Sequence, residues 1–195
     1  GNTTYFLGEI RNVAWKHYFP VVYFIKEPLP FWFLLIMVLL FLAAKMKFSI
    51  FNFQFSKIRS LIKNHFTELS MLLWIAVYWY LSIRANLNIG VRHLLPTYGF
   101  VLILLAGQLD KLMEAVKAKK RMIRYSVMAL LSVLFGWYLA ENLKVFPYYI
   151  TYFNQAAGGP KGGYVYVVDS NVDWGQDAKR LTDWVNTNKI SKISL

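Results

Sequence analysis

Long apolar runs alternate with short basic stretches along this chain, and the alternation predicts most of its architecture. Leu29 to Ala44 carries no charged residue over 16 positions. A helical span takes about 20 apolar residues, with about 17–25 tolerated, and interfacial residues at either end supply the missing turn. With three further runs, spans are expected at about 29–44, 69–83, 93–109 and 125–146. Residues 1–28 mix Trp15, Tyr18, Phe19, Tyr23 and Phe24 with Arg11, Lys16, His17 and Lys26. Aromatic rings and long basic stems both fit the headgroup region, so this segment is expected to be interfacial. The stretch from Lys45 to Phe66 has Lys45, Lys47, Lys57, Arg59 and Lys63, no acid, and Phe48, Phe51, Phe53 and Phe55. It is expected to lie on the membrane surface.

After Pro147 the pattern changes. Tyr148, Tyr149, Tyr152 and Phe153 form an aromatic belt, followed by a glycine-rich turn from Ala156 to Gly163. Tyr164 to Val168 reads as a strand and Gln176 to Asn186 as a helix, and a second strand begins at Ile190. Strand, helix and strand suggest a small α/β domain over 147–195. The expected fold class is therefore an α-helical integral membrane protein. It has about four transmembrane helices in residues 29–146, interfacial helices, and the start of a small extracytoplasmic α/β domain.

Composition strengthens the membrane reading. The 195 residues are 57% hydrophobic, against roughly 45–50% in soluble domains. The net charge of +12 raises nucleic-acid binding, but the basic residues are broken up by apolar spans. That suits membrane topology better than a surface tracking phosphates, so the expected partner is a lipid bilayer and no nucleic acid. Cysteine is absent, which excludes disulfides and thiolate metal sites. Half of the Lys and Arg residues fall in the two loops at 45–66 and 110–124. Basic residues collect in short cytoplasmic loops. Residues 1–28, the stretch around Arg92 and everything after Pro147 are then extracytoplasmic, in a multi-pass protein of the cell membrane. The first residues lack an initiator Met and a signal-peptide layout, and the last lie inside an expected strand. Both ends read as cut, and the chain as an internal piece of a longer protein.

Candidate chemistry begins at Gly90-Val91-Arg92-His93-Leu94-Leu95-Pro96, where a cation sits directly against an apolar span. Arginine in mid-membrane is costly, so Arg92 should lie at the interface or face a polar cavity. Its planar fork of donors fits a phosphate, and His93 can add another. A snorkelling arginine that only anchors the helix end is the plainer alternative. The densest polar cluster is Asp169, Asn171, Asp173 and Asp177, whose first three members have the 1-3-5 spacing of a calcium loop. The match then fails, with Gly175 at the seventh place and Arg180 at the twelfth. A helix start bearing acids near its positive dipole end is the simpler reading. Alternatively, an acid here faces a sugar or an amine in a cleft shared with the membrane domain. Glu9 and Glu27 are outer-side carboxylates expected to pair locally with Arg11 and Lys26, and Glu9 stays among the cleft candidates. His17, His65 and His93 make no metal spacing. No cofactor is called for, and a divalent metal has no recognisable ligand set.

Four stretches together resemble one family. They are Tyr5-Phe6-Leu7-Gly8-Glu9 with Tyr18-Phe19-Pro20 and Lys26-Glu27-Pro28-Leu29-Pro30; Gly90 to Pro96; Tyr152-Phe153-Asn154 with Ala157-Gly158-Gly159-Pro160; and Val168-Asp169-Ser170-Asn171-Val172-Asp173-Trp174-Gly175-Gln176-Asp177. The chain resembles the C-terminal half of multi-pass glycosyltransferases of the family 39 kind, relatives of dolichyl-phosphate-mannose protein mannosyltransferases. The last stretch is the most specific part. The resemblance implies the C-type glycosyltransferase fold. It also implies transfer of a sugar from a polyprenyl-phosphate carrier to a protein or glycan acceptor on the extracytoplasmic face. That family's catalytic acid lies in its first external loop, and nothing here corresponds to it. This piece would supply the carrier-phosphate side, with Arg92 and His93, and a cleft drawn from Glu9, Asp169, Asn171, Asp173, Trp174 and Asp177.

Two other classes stay open. One is a transporter or flippase that binds an anionic substrate at Arg92, although the chain shows no repeated half or pair of broken helices. The other is a non-catalytic membrane scaffold whose outer domain binds protein or glycan. The orientation itself is testable with single cysteines at Ser60 and Ser170. An impermeant thiol reagent on intact cells should label position 170 and spare position 60; the reverse pattern turns the topology upside down.

Overall fold

The computed structural model describes residues 3–47, 60, 62–88, 90–190 and 192. The expected surface segment at 48–59 lies outside the described residues. The chain opens with a hairpin, β1 (Thr4–Phe6) antiparallel to β2 (Glu9–Arg11), with Tyr5 opposite Ile10. Among the described residues the long helical segments that follow are α1 (Tyr18–Lys26), α2 (Leu29–Lys47), α3 (Phe66–Arg84), α4 (Leu95–Lys117) and α5 (Arg121–Val145). Beyond Tyr148 come short 3-10 turns and one more helix, α6 (Ala178–Thr187). Pro96 stands in the first turn of α4, where a missing N–H costs nothing.

The long helices pack side by side. Helix α2 contacts both α4 and α5, and α3 packs against α4. Helices α3 and α5 are long and apolar enough to cross a membrane. The pair α1–α2 adds a third crossing if it is one broken span, its axis turning by 109° at the break. No residue of α3 is buried, and Leu72, Leu73, Trp74, Val77 and Leu81 point outward. An apolar surface displayed this way suits lipid better than water. Helix α4 runs beyond its apolar stretch through Asp110, Lys111, Glu114 and Lys117, because Leu109, Leu112 and Val116 keep its buried face continuous.

A cap of non-helical chain closes one end of these helices. Its core is aromatic. Phe6 meets Trp15 and Tyr18 at ring-centroid distances of 5.5 and 5.2 Å. Tyr23 touches the rings of Phe31, Trp32, Trp79 and Tyr98, so one side chain of α1 bridges α2, α3 and α4. Backbone groups complete the cap. Leu7 N donates to Tyr166 O at 3.0 Å, and Ala14 N and Trp15 N donate to the side-chain oxygens of Asn86 and Asn88 at 2.7 and 2.6 Å. The three segments expected on one side of the membrane thus pack against each other.

Two expectations need correction. Tyr164 to Val168 is not a strand. Its first residues form a 3-10 turn, Gly163–Val165, and Tyr166 N and Val167 N both bond back to Gly163 O. A β-prone sequence makes a strand only where a partner edge exists. Here Gly163 is instead pressed on the Phe153 ring, where an added Cβ would come within 2.2 Å. Ile190 and Lys192 are not in a strand either, and residues 191 and 193–195 lie outside the described residues. Among the described residues after Pro147 there is no strand. The two strands lie in the N-terminal segment, which was expected to be interfacial. Ser170 is also only 9% exposed, so the outer labelling position belongs at exposed Gln176.

Asn154, fully buried, fastens the cap to the helices. Its Nδ2 donates to Phe24 O at 2.7 Å and Glu27 O at 3.0 Å, while its Oδ1 accepts from Ala157 N at 3.2 Å. These carbonyls lie at the bend after α1, where the helical ladder no longer serves them. Phe24 O also accepts from Trp32 Nε1 at 3.2 Å, so Asn154→Ala chiefly deprives the Glu27 carbonyl, at a cost of about 1–3 kcal/mol. The thermal midpoint in detergent should fall well below that of the surface control Gln155→Ala.

Candidate functional site

The joint between the Gly90–Pro96 stretch and the Val168–Asp177 stretch is built on backbone first. Gly90 has φ +118° and ψ 160°, a region open in practice to glycine alone. A Cβ there would meet Ser170 Oγ at 2.7 Å and Asn171 Oδ1 at 3.4 Å. The next residues form a 3-10 turn, Val91–Leu94, which leads into α4. Asn171, itself in a short turn, sends its Oδ1 to Val91 N at 3.0 Å and its Nδ2 to Tyr18 Oη at 2.9 Å. One buried amide therefore ties α1, the Arg92 turn and the Val168–Asp177 stretch together.

Arg92 emerges from this joint half-exposed, its guanidinium lying over the Trp174 ring at 4.8 Å from the centroid. The indole is fixed in turn by Nε1 donating to Ser170 O at 2.7 Å. Cation–π stacking holds the charge without using its N–H donors. Among the described residues, no carboxylate or carbonyl accepts from Arg92. What results is a fixed guanidinium with its edge free, the arrangement that suits a phosphate oxygen.

Lys26 provides a second cation nearby, differently engaged. Its Nζ donates to Ile150 O at 2.7 Å and to Asn171 O, and lies 3.8 Å from the centroid of the Phe153 ring. It is the last residue of α1, where a cation also favours the helix dipole. Lys26 acts as a partly buried crosslink between α1 and the chain beyond Pro147.

His93, Glu9, Asp173 and Asp177 make no hydrogen bond or ion pair with Arg92 among the described residues. His93 turns towards α1, its ring 6.4 Å from that of Phe19, with Nε2 buried and without a hydrogen-bond partner among the described residues. Glu9 pairs with Arg11 on the exposed hairpin, as local pairing predicts. Asp173 Oδ1 accepts from Gly175 N at 2.8 Å, closing its own turn. Asp177 precedes α6 but makes no capping bond, and binds Arg180 at 2.9 Å instead. Asp169 stands in the 3-10 turn Asp169–Asn171. Among the described side chains of the Val168–Asp177 stretch, the neutral Asn171 holds Arg92's turn and the Trp174 indole its guanidinium.

Sequence reasoning missed three residues. Glu27 makes no ion pair with Lys26 among the described residues and instead shares a pocket wall with Tyr98. Lys26 ends α1 and Glu27 is its extended C-cap, so their side chains leave the bend separately. Asn154 and Glu141 were not singled out as site residues, although both are buried polar side chains. The signal for Asn154 was its place in the Tyr152-Phe153-Asn154 stretch, and for Glu141 a carboxylate within an apolar run.

Gly90→Ala should open this joint, because the strained backbone alone costs about 1–3 kcal/mol. Gly107→Ala, in the middle of α4 with open space around it, is the control and should leave the thermal midpoint unchanged or slightly higher. Equal midpoints for the two variants would show that the joint contributes nothing.

No protein-family model matches this chain, and neither a curated protein nor a solved structure is significantly similar to it.

Proposed function

We propose that this chain is part of a membrane glycosyltransferase that moves a sugar from a polyprenyl-phosphate carrier to a protein or glycan acceptor on the extracytoplasmic face. In this reading all four long helices, α2 to α5, cross the bilayer of a cell membrane. The cap they carry lies at the outer leaflet. Arg92 receives the carrier phosphate, and Trp174 keeps the guanidinium plane oriented. As the sugar leaves, charge builds on that phosphate, and a preoriented cation stabilises it most at that moment. The general base is expected from a part of the enzyme that this chain does not include.

The observation that carries the reading is the Arg92 guanidinium, stacked on Trp174 and without an acceptor among the described residues. A purely anchoring arginine needs no indole beneath it and no buried amide holding its turn. The resemblance of the four stretches adds the donor class and the sidedness. A transporter would use the same cation for passage of an anion, and the two readings part company at the chemical step.

The test uses the full-length protein with radiolabelled polyprenyl-phosphate sugars in proteoliposomes. Transfer to an acceptor supports the proposal, whereas movement across the membrane without transfer supports a transporter. Arg92→Ala should lower the transfer rate by about 10²-fold, and Arg92→Lys should recover part of it because the point charge remains without the fork. Lys119→Ala, in the exposed turn between α4 and α5, should stay near wild type. Equal rates for Arg92→Ala and Lys119→Ala remove the assignment.

A further inference from the structure

A pocket of about 200 Å3 opens between α1, α2, α4 and α5, with Lys26 on its wall. Its chemistry differs from that of the Arg92 joint. Glu27 is 8% exposed, held at the bend between α1 and α2, and none of the ion pairs among the described residues reaches it. Tyr23, Tyr98, Tyr138, Tyr149 and Tyr152 line the same pocket. The pocket therefore brings two buried carboxylates, Glu27 and Glu141, and five tyrosines to one cavity.

The other charged groups on the wall have their needs met. Glu141 accepts from Trp137 Nε1 at 3.3 Å and Tyr152 Oη at 3.4 Å, and Lys144 lies 3.5 Å away. The Lys26 ammonium is occupied by two backbone carbonyls and the Phe153 ring. Of the two carboxylates on the wall, Glu27 is the one that no ion pair among the described residues reaches. A buried carboxylate in that position is satisfied either by a proton or by a cation brought from outside. The cavity is too large for a bare metal ion, which needs several oxygen ligands at short range. Aromatic rings, in contrast, attract ammonium groups placed over their faces.

We propose that this pocket binds an ammonium group carried on a small polar molecule, with Glu27 as its counter-ion and the tyrosine rings as its cage. An amino sugar and the primary amine of a lipid headgroup share that chemistry. The proposal rests on the pocket alone and needs no sugar transfer, so it stands or falls separately from the function proposed above.

Purified full-length protein in nanodiscs of phosphatidylglycerol, which has no amine, is titrated calorimetrically with glucosamine and with glucose at pH 7. Glucosamine should bind saturably, with glucose at least tenfold weaker. Glu27→Gln should abolish the difference, and Glu141→Gln should keep it. Repeating the titration with phosphatidylethanolamine in the disc identifies the source. Weakened glucosamine binding assigns the pocket to a headgroup amine, and unchanged binding assigns it to a soluble one. Equal affinities for glucosamine and glucose in the wild-type protein, or no binding of either, would falsify the proposal whatever the variants do. A preference that survives Glu27→Gln does so as well.

Discussion

The whole cap depends on a single buried carboxamide. Asn171 accepts from Val91 N, donates to Tyr18 Oη and Val168 O, and offers its own backbone carbonyl to Lys26. The groups it serves come from α1, from the Arg92 turn and from its own stretch of chain. Only an amide presents donor and acceptor on one short planar head. An aspartate at this position could serve Val91 but would lose the amide donor to Val168. The constraint is therefore chemical as well as geometric, and it fixes where the Arg92 turn must stand.

The same logic recurs one layer further in. Asn154 serves the carbonyls at the bend after α1, and Lys26 bridges from the end of that helix to the chain beyond Pro147. In a hydrophobic setting the free energy comes less from making such bonds than from not leaving their partners unmade. Buried asparagines and one lysine thus do what a continuous sheet would do in a soluble domain. The aromatic cluster around Tyr23 fills the space between them.

Helices were the most legible part of the sequence, because an apolar run of the right length between basic clusters has few other physical meanings. Their ends were less so. Helix α4 continues through Asp110 and Glu114 because helical side-chain spacing keeps Leu112 and Val116 inside, a matter of packing that a count of charges misses. Tyr164 to Val168 misled because strand preference describes a half-buried pleated surface, and the surface it met was the ring of Phe153. Arg92 was visible as an isolated cation at a helix mouth, but its seat on Trp174 joins residues far apart in the chain. Periodicity carries no information about such a pairing. The polar cluster drew attention for its acids, whereas the structure uses its amide.

The right-angled turn between α1 and α2 has a consequence for approach. With α2 upright in a bilayer, a 109° bend lays α1 nearly flat along the surface, and the cap it supports then sits at headgroup depth. Molecules tethered in the same leaflet would arrive sideways by diffusing in two dimensions. Those dissolved in water must descend from above. Lateral arrival confines the search to a thin shell and raises the effective concentration of anything with a greasy tail, so such a site can bind its headgroup loosely and still be filled.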